Sequence, residues 1–96
     1  YPAEAEQVLI DHPQILDVAC IGIPHPVMGE ELKAMVILKD GAQDVQADEV
    51  IAFCRDRLSH YKCPRSVDFV EDLGRNTMGK INKRKLRAPF WEGHQS

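Results

Sequence analysis

Two apolar segments rich in strand-forming residues lie close together in the first half of the chain. Residues 15–23 read ILDVACIGI, and residues 32–39 read LKAMVILK. β-branched and aliphatic residues at this density are typical of strands buried in a sheet. The stretch 25–31 between them contains Gly29, which indicates a loop. Because the connection is short, the two strands can pair with each other, and the sequence predicts an antiparallel hairpin.

Helical patterns flank this hairpin. The first begins near Pro2, where proline fits the first turn of a helix, and Pro13 stops it. The second has one apolar face and runs to about His60, with Asp44 as its predicted N-cap.

A third strand and a last helix follow. Residues 66–70 predict a short strand, 71–79 a polar loop, and Lys80 to about Leu86 a short helix. The order is α-β-β-α-β-α. The sequence therefore predicts an α+β domain with a small three-stranded, mainly antiparallel sheet and two flanking amphipathic helices. A C-terminal lysine loop and a short basic helix complete it.

The composition is that of one globular domain. The 96 residues are 44% hydrophobic and 28% charged, and no apolar run approaches the length of a membrane span. Because the chain begins at Tyr1 and enters a helical pattern directly, we expect a fragment of a longer protein. Cys20, Cys54 and Cys63 lack the spacing of a zinc site, as do the histidines, and we expect no metal site. Cys20 and Cys54 fall on apolar positions and are predicted to be core residues. Reduced thiols suit a cytoplasmic protein.

The charge is unevenly divided along the chain. Residues 1–60 carry four Lys or Arg and eleven Asp or Glu, a net charge of −7. Residues 61–96 carry eight and four, a net charge of +4, which together give the total of −3. Six basic residues and no acidic one lie between Arg75 and Arg87. The C-terminal third is therefore where an anion would be met, unless this stretch is only a solvated basic helix.

Residues 74–81 read GRNTMGKI, which is almost a phosphate-binding P-loop. Ile81 stands where Ser or Thr would hold magnesium, and too little chain follows to build the remaining strands of a P-loop fold. What remains is Lys80 on a glycine-flanked loop beside a basic helix. A lysine in this setting can reach into a closed site and neutralise charge on a carboxylate or phosphate oxygen.

Nearly the whole chain resembles the C-terminal domain of the adenylate-forming enzymes, which include acyl-CoA synthetases, firefly luciferase and peptide-synthetase adenylation domains. The spacing from Y-K-C-P to G-K is the most specific part of the match. The matching stretches in chain order are YPAEAEQVLIDHP, VACIGIPHPVMGE, LKAMVILKDG and LSHYKCPRSVDFVEDLGRNTMGKINKRKLR.

This resemblance implies a lid domain over residues 1–88 and a tail over 89–96. It implies that a large N-terminal domain binds ATP, Mg²⁺ and a carboxylic acid, while the family's catalytic lysine falls on Lys80. That lysine acts when the carboxylate attacks the α-phosphate of ATP, with Thr77 and Gly79 in the surrounding nucleotide loop. The lid then rotates, and CoA attacks the acyl-adenylate. Y-K-C-P and the NKRKLR ending look more like medium- or long-chain fatty acid–CoA ligases than peptide-synthetase domains.

The resemblance also suggests further sites. Arg55 aligns with a basic position near the CoA nucleotide phosphate in acetyl-CoA synthetase-like members, and Lys62 and Arg65 flank the family's proline and could meet phosphates. For each of the three, plain surface charge is the favoured alternative to a binding role. Gly74 stands where the family usually has a proline, six residues before the lysine. This glycine loosens the loop and leaves open whether Lys80 is regulated by acetylation, as the lysine is in many bacterial relatives.

Some alternatives remain open from the sequence. The tail containing Phe90 and Trp91 could dock on the larger domain or pack back on this one. A nucleic-acid-binding module that uses the stretch from Arg75 to Arg87 would explain the basic end without any enzyme. Aromatic residues do not interleave with these charges, however, and the rest of the chain is acidic. A third possibility is an interaction domain that kept the fold and lost the activity.

Overall fold

A computed structural model describes residues 2–94 of the chain. Three α-helices and three strands occur in the order α-β-β-α-β-α, as the sequence predicted, and a single 3₁₀ turn, His60–Lys62, precedes the last strand. The α+β class is therefore confirmed. The elements are α1 (Pro2–Leu9), β1 (Ile15–His25), β2 (Gly29–Leu38), α2 (Ala47–Arg55), β3 (Ser66–Phe69) and α3 (Lys83–Trp91).

The sheet has the strand order β1-β2-β3. β1 and β2 form the predicted antiparallel hairpin, whose register runs from Ile15 opposite Leu38 to His25 opposite Gly29. The short β3 pairs with β2 in parallel. Both hairpin strands are longer than predicted, because the polar residues that looked like loop continue the ladder, with Glu31 paired to Ile23. The sheet is thus mixed, and antiparallel over most of its length.

α1 and α2 cover one face of the sheet. Leu9 from α1 and Val50 from α2 are completely buried, as are Cys20 of β1 and Cys54 of α2. The prediction that these two cysteines are core residues is confirmed. The buried members of this cluster are Ala5, Leu9, Ile15, Val18, Cys20, Ala34, Val36, Val45, Val50, Cys54 and Cys63.

The C-terminal segment covers the other face. Leu73 is buried here with three residues of the hairpin, Ala19, Ile21 and Met35. The half-buried side chains packed against this second cluster include Ile81, Leu86 and Phe90. The sequence left two positions open for Phe90 and Trp91. In the structure, these two residues pack back on this domain. The helix α3 continues to Trp91. Gln95 and Ser96 lie outside the described residues.

The free edge of β1 is paired by side chains rather than by another strand. The carboxylate of Glu6 accepts a hydrogen bond of 2.8 Å from the backbone N–H of Cys20. The carbonyl of Gly22 accepts hydrogen bonds from Arg87 Nε at 3.2 Å and Trp91 Nε1 at 2.8 Å. Backbone groups at a sheet edge are costly when they are buried without a partner. α1 and α3 therefore close this edge from both sides.

The boundaries of α2 differ from the prediction. Asp44 is not its N-cap: the residue before the helix is Gln46, and Asp44 has a positive φ of 58°. The intervening Val45 is buried, so the chain enters the core before it turns into the helix. The helix also ends at Arg55 rather than near His60. The chain turns away there and brings Cys63 and Pro64 into the interior.

α3 begins three residues later than predicted. The sequence favoured a start at Lys80, but the helix starts at Lys83, and its N-cap is Asn82. The side chain of Asn82 accepts a hydrogen bond of 3.1 Å from the backbone N–H of Lys85, which is the usual geometry of an N-cap. Lys80 therefore belongs to the preceding loop, and the helix does not constrain it.

Candidate functional site

The loop that carries Lys80 is closed by the side chain of Asn76. Its Oδ1 accepts hydrogen bonds from the backbone N–H groups of Met78, at 2.9 Å, and Lys80, at 3.0 Å. The backbone of Asn76 is paired as well: its N–H donates to the carbonyl of Lys80, and its carbonyl accepts from Gly79, both at 2.9 Å. Asparagine side chains stabilise turns in this way. The backbone of Lys80 is therefore held in a defined local conformation.

Two glycines allow the backbone to follow this path. Gly79 has a φ of 80° and Gly74 a φ of 72°, in the left-handed region that favours glycine. The N–H of Gly74 also donates a hydrogen bond of 3.0 Å to the side chain of Asp72. Gly79 was predicted to belong to the nucleotide loop, and it supplies the turn immediately before Lys80. Thr77, predicted in the same role, is exposed at the tip of the turn.

The side chain of Lys80 is exposed and unengaged. Among residues 2–94, its Nζ has neither an ion-pair nor a hydrogen-bond partner. The backbone on either side is anchored to the sheet, since Leu73 is buried and Ile81 packs on the same cluster. A fixed backbone with a free ammonium group is suited to reaching an anion outside this domain.

Arg55 and Arg65 line one surface cleft. The cleft has a volume of about 460 Å³, and its other lining residues are Asp48, Ile51, Ala52 and Asp56. Both arginines are exposed, and they approach from different elements, α2 and the segment before β3. Arginine is well suited to bidentate contacts with phosphate oxygens. The two carboxylates in the cleft partly offset its positive charge.

Lys62 does not line this cleft. It is half-buried, and its Nζ lies 3.3 Å from the carboxylate of Glu4 in α1. Its ammonium group is also 5.7 Å from the ring centre of Tyr61. The structure thus brings together two of the three basic residues predicted to bind CoA. It keeps them apart from Lys80, because α2 covers one sheet face while the residues around Lys80 pack on the other.

Half of the basic side chains in the stretch between Arg75 and Arg87 are paired with acidic side chains. Arg75 pairs with Asp17, Lys83 with Glu6 at 2.5 Å, and Arg87 lies 3.8 Å from Glu30. Three of its six basic side chains therefore form ion pairs within the domain. This pattern does not favour the nucleic-acid-binding alternative, which needs a continuous positive surface.

The thiols of Cys20 and Cys54 are poorly reactive. Burial raises the pKa of Cys20 to about 12. It raises the pKa of Cys54 to about 12 as well, with a smaller contribution from a hydrogen bond to Cys63. Thiolates are the reactive form of cysteine, so neither residue is suited to nucleophilic catalysis.

No group of three or more His, Cys, Asp or Glu side chains in the described part of the chain could hold a metal ion. Among the same residues, no helix is long and apolar enough to cross a membrane.

A family model for the AMP-binding enzyme C-terminal domain matches residues 4–80 and so ends on Lys80. The chain belongs to this family. The resemblance that the sequence motifs suggested is thereby confirmed. In this AMP-binding enzyme C-terminal domain, the matched residues include all three strands, α2 and the Lys80 loop. The helix α3 lies beyond the match.

Relatives of this AMP-binding enzyme C-terminal domain include acyl-CoA ligases and synthetases. It is 45% identical over 87 residues to the mitochondrial medium-chain acyl-CoA ligase ACSF2 of Danio rerio, covering 91% of this chain and 14% of that protein. Among solved structures, a fatty acyl CoA synthetase of Mycobacterium tuberculosis matches with a TM-score of 0.84 and 39% identity over 94% of this chain and 18% of that one. A Brucella canis acyl-CoA synthetase matches with a TM-score of 0.90 and 34% identity over 98% and 18%. The chain spans 14–17% of the length of the first curated relatives it matches.

Sequence reasoning missed two residues near Lys80. Arg75 donates a hydrogen bond to the carbonyl of Gly79, and Asp17 is the ion-pair partner of Arg75. Arg75 was read only as part of the basic stretch, and Asp17 only as part of a buried strand. One signal was available, because Asp17 is the single acidic residue within the apolar segment 15–23. A lone charge in a buried strand usually has a partner, but the sequence does not name it.

Proposed function

We propose that this chain is the lid domain of an ATP-dependent acid–CoA ligase and that Lys80 is its catalytic lysine in acyl-adenylate formation. The observation that carries the proposal is the combination of an anchored loop backbone with a free, exposed ammonium group. The family match, which ends on this residue, supports the same role. The partner would be a large N-terminal adenylation domain that binds ATP with Mg²⁺.

In the first half-reaction, a carboxylate oxygen attacks the α-phosphorus of ATP, and the bond to pyrophosphate breaks. Negative charge accumulates on the phosphate oxygens and is shared with the carboxylate. The ammonium group of Lys80 would lie between these oxygens, orient them and stabilise the charge in the transition state. Thr77 and Gly79 would shape the loop around the nucleotide. Lys80 has no competing carboxylate partner among residues 2–94, so its charge is available for this task.

In the second half-reaction, the thiolate of CoA attacks the acyl carbon, and AMP leaves. We propose that the cleft containing Arg55 and Arg65 then faces the CoA nucleotide, with Lys62 nearby on the same side of the sheet. Because these residues and the Lys80 loop belong to opposite faces, the domain would rotate between the two steps. Each half-reaction would use one surface.

The acid is proposed to be a medium- or long-chain fatty acid. This is supported by the Y-K-C-P motif. It is also supported by the names of two relatives, a medium-chain acyl-CoA ligase and a fatty acyl CoA synthetase. A cytoplasmic location is proposed because Cys20, Cys54 and Cys63 are free cysteines, which suit a reducing compartment. Both proposals concern the full-length protein that carries this domain.

The test compares wild type, Lys80→Ala and Lys85→Ala in the full-length protein. Lys85 is a matched control, because it is also exposed and lies five residues further along the chain. Pyrophosphate release measures adenylation, and thioester formation from a supplied acyl-adenylate measures the second step. We expect Lys80→Ala to reduce adenylation by about a hundredfold or more while thioester formation persists. Unchanged adenylation in Lys80→Ala would refute the proposed role.

The second surface is tested by Arg55→Ala and Arg65→Ala. Loss of a charged contact to phosphate should raise the KM for CoA by about tenfold and leave pyrophosphate release unchanged. Arg84→Ala, an exposed arginine on α3, is the control. A KM for CoA that does not change in either variant would remove the cleft from the CoA site.

A further inference from the structure

We propose that Arg75 is a positioning residue for Lys80 and that Asp17 holds Arg75 in place, so that an ion pair to the sheet sets where the catalytic lysine lies. This inference rests on the proposed function of Lys80 and names the residues that support it. It concerns a pair of side chains separated by 58 positions in the sequence.

The guanidinium group of Arg75 contacts two parts of the fold at once. It forms a bidentate pair with Asp17, in which Nε lies 2.6 Å from Oδ2 and Nη2 lies 2.8 Å from Oδ1. Its remaining terminal nitrogen, Nη1, donates a hydrogen bond to the carbonyl of Gly79. Gly79 is the residue immediately before Lys80. One rigid, planar group therefore connects the lysine loop to strand β1.

The sheet holds Asp17 in a defined orientation. Oδ1 of Asp17 also accepts a hydrogen bond of 2.9 Å from the backbone N–H of Val18. The register of β1 against β2 shifts between Ile15 and Asp17, which leaves Leu16 as an extra residue in β1. A bulge of this kind redirects the side chains beside it. The carboxylate of Asp17 is only 21% exposed, compared with 43% for the side chain of Arg75.

The loop alone does not fix its position relative to the sheet. The hydrogen bonds of Asn76 lie within residues 76–80, so they define the shape of the turn but not where the turn sits. Leu73 and Ile81 anchor its two ends, and both lie outside the turn itself. Among the described residues, the guanidinium group of Arg75 makes the polar contact that connects the turn to β1. If it is lost, Lys80 keeps its local conformation and the anchor at Ile81, but the turn is no longer tied to β1 and its placement becomes less exact.

The experiment uses the full-length protein and measures both half-reactions for Arg75→Ala, Arg75→Lys and Asp17→Asn, with Arg84→Ala as the control. We expect Arg75→Ala to lower kcat for adenylation by about tenfold to a hundredfold, because a misplacement of about 1 Å has an effect of this size. Arg75→Lys keeps the charge but not the fork, and Asp17→Asn keeps the shape but not the charge. Both should show smaller losses. Thioester formation from a supplied acyl-adenylate should be unchanged in all of them.

A double-mutant cycle with Lys80→Ala separates positioning from general destabilisation. If Arg75 acts through Lys80, Arg75→Ala should have no further effect on adenylation once Lys80 is alanine. Additive losses, or equal losses in both half-reactions, would show that Arg75 only stabilises the fold and would overturn the inference. If Arg75→Ala does not fold, Asp17→Asn takes its place in the same cycle.

The outcomes also distinguish this inference from the proposed function. If Lys80→Ala abolishes adenylation and Arg75→Ala does not reduce it, the inference fails and the function of Lys80 stands. If Lys80→Ala leaves adenylation intact, both fail.

Discussion

The indole N–H of Trp91 donates a hydrogen bond of 2.8 Å to the carbonyl oxygen of Gly22. This contact joins the last turn of α3 to the free edge of β1. The neighbouring Phe90 packs on the second core cluster, and its ring lies 5.5 Å from the ammonium group of Lys33. Phe90 and Trp91 are therefore part of the packed domain, although the family match ends before them.

Truncation after Ala88 should weaken the fold. The shortened chain loses the packing of Phe90 and the hydrogen bond of Trp91, and we expect its free energy of unfolding to fall by about 3 kcal/mol. Urea denaturation of the two chains measures the difference. A chain that ends at Glu92 is the control and should be nearly as stable as the full sequence. Equal stability of the chain ending at Ala88 would instead support a domain boundary at that residue.

Replacing Gly74 with the proline that is usual in the family should destabilise this protein. Gly74 has a φ of 72°, whereas proline fixes φ near −65°. Proline would also remove the N–H that donates to Asp72. We expect the free energy of unfolding to fall by more than about 1 kcal/mol.

The control for this substitution is Gly74→Asn. Asparagine tolerates the left-handed region better than other residues with a side chain, and a Cβ at this position would meet no atom within 4 Å. Its loss of stability should be clearly smaller than that of Gly74→Pro. If Gly74→Pro were as stable as wild type, the loop could adopt a different path, and the lysine loop described above would not be its only stable form.

The ion pair between Asp17 and Arg75 should make stability depend on pH in the acid range. The hydrogen bond from Arg75 is the largest influence on the pKa of Asp17 and lowers it from the usual value of 3.8. A carboxyl group with a lowered pKa contributes its full stabilisation above the unfolded value, and this contribution is lost as the pH falls through the folded value. The stability difference between wild type and Asp17→Asn should therefore be constant above about pH 5 and shrink below 3.8.

Urea denaturation at several pH values measures this dependence. Asp11→Asn is the control, because Asp11 is exposed and forms no ion pair within residues 2–94. Its stability difference from wild type should not follow the same curve. A difference for Asp17→Asn that is independent of pH would mean that the charge of Asp17 does not contribute.

The thiols of Cys20 and Cys54 should be protected from alkylation in the native state. Both are completely buried, and burial raises each pKa to about 12, so at neutral pH neither is exposed or ionised. Mass spectrometry after a short treatment with iodoacetamide should detect neither modification. In denaturant, all three cysteines should react. Rapid native modification of Cys20 or Cys54 would contradict the packing of the first cluster.

Local sequence patterns were sufficient for the elements of this fold. The apolar runs of residues 15–23 and 32–39 predicted the hairpin, because a high density of β-branched and aliphatic residues can be read within each segment. The element boundaries were less well predicted. Asp44 has the right side chain for an N-cap, but the burial of Val45 delays the helix, and that burial depends on residues far along the chain.

The sequence by itself determined the α+β class and the position of Lys80 in a glycine-flanked loop, since both depend on local residue patterns. It also indicated the family, through motifs that resemble it along nearly the whole chain. Only the tertiary structure decided what holds that loop. Asp17 and Arg75 lie 58 positions apart, and many acidic residues were available to each basic one. The packing of strands and helices decides which charged side chains form ion pairs. Local sequence periodicity does not predict that long-range arrangement.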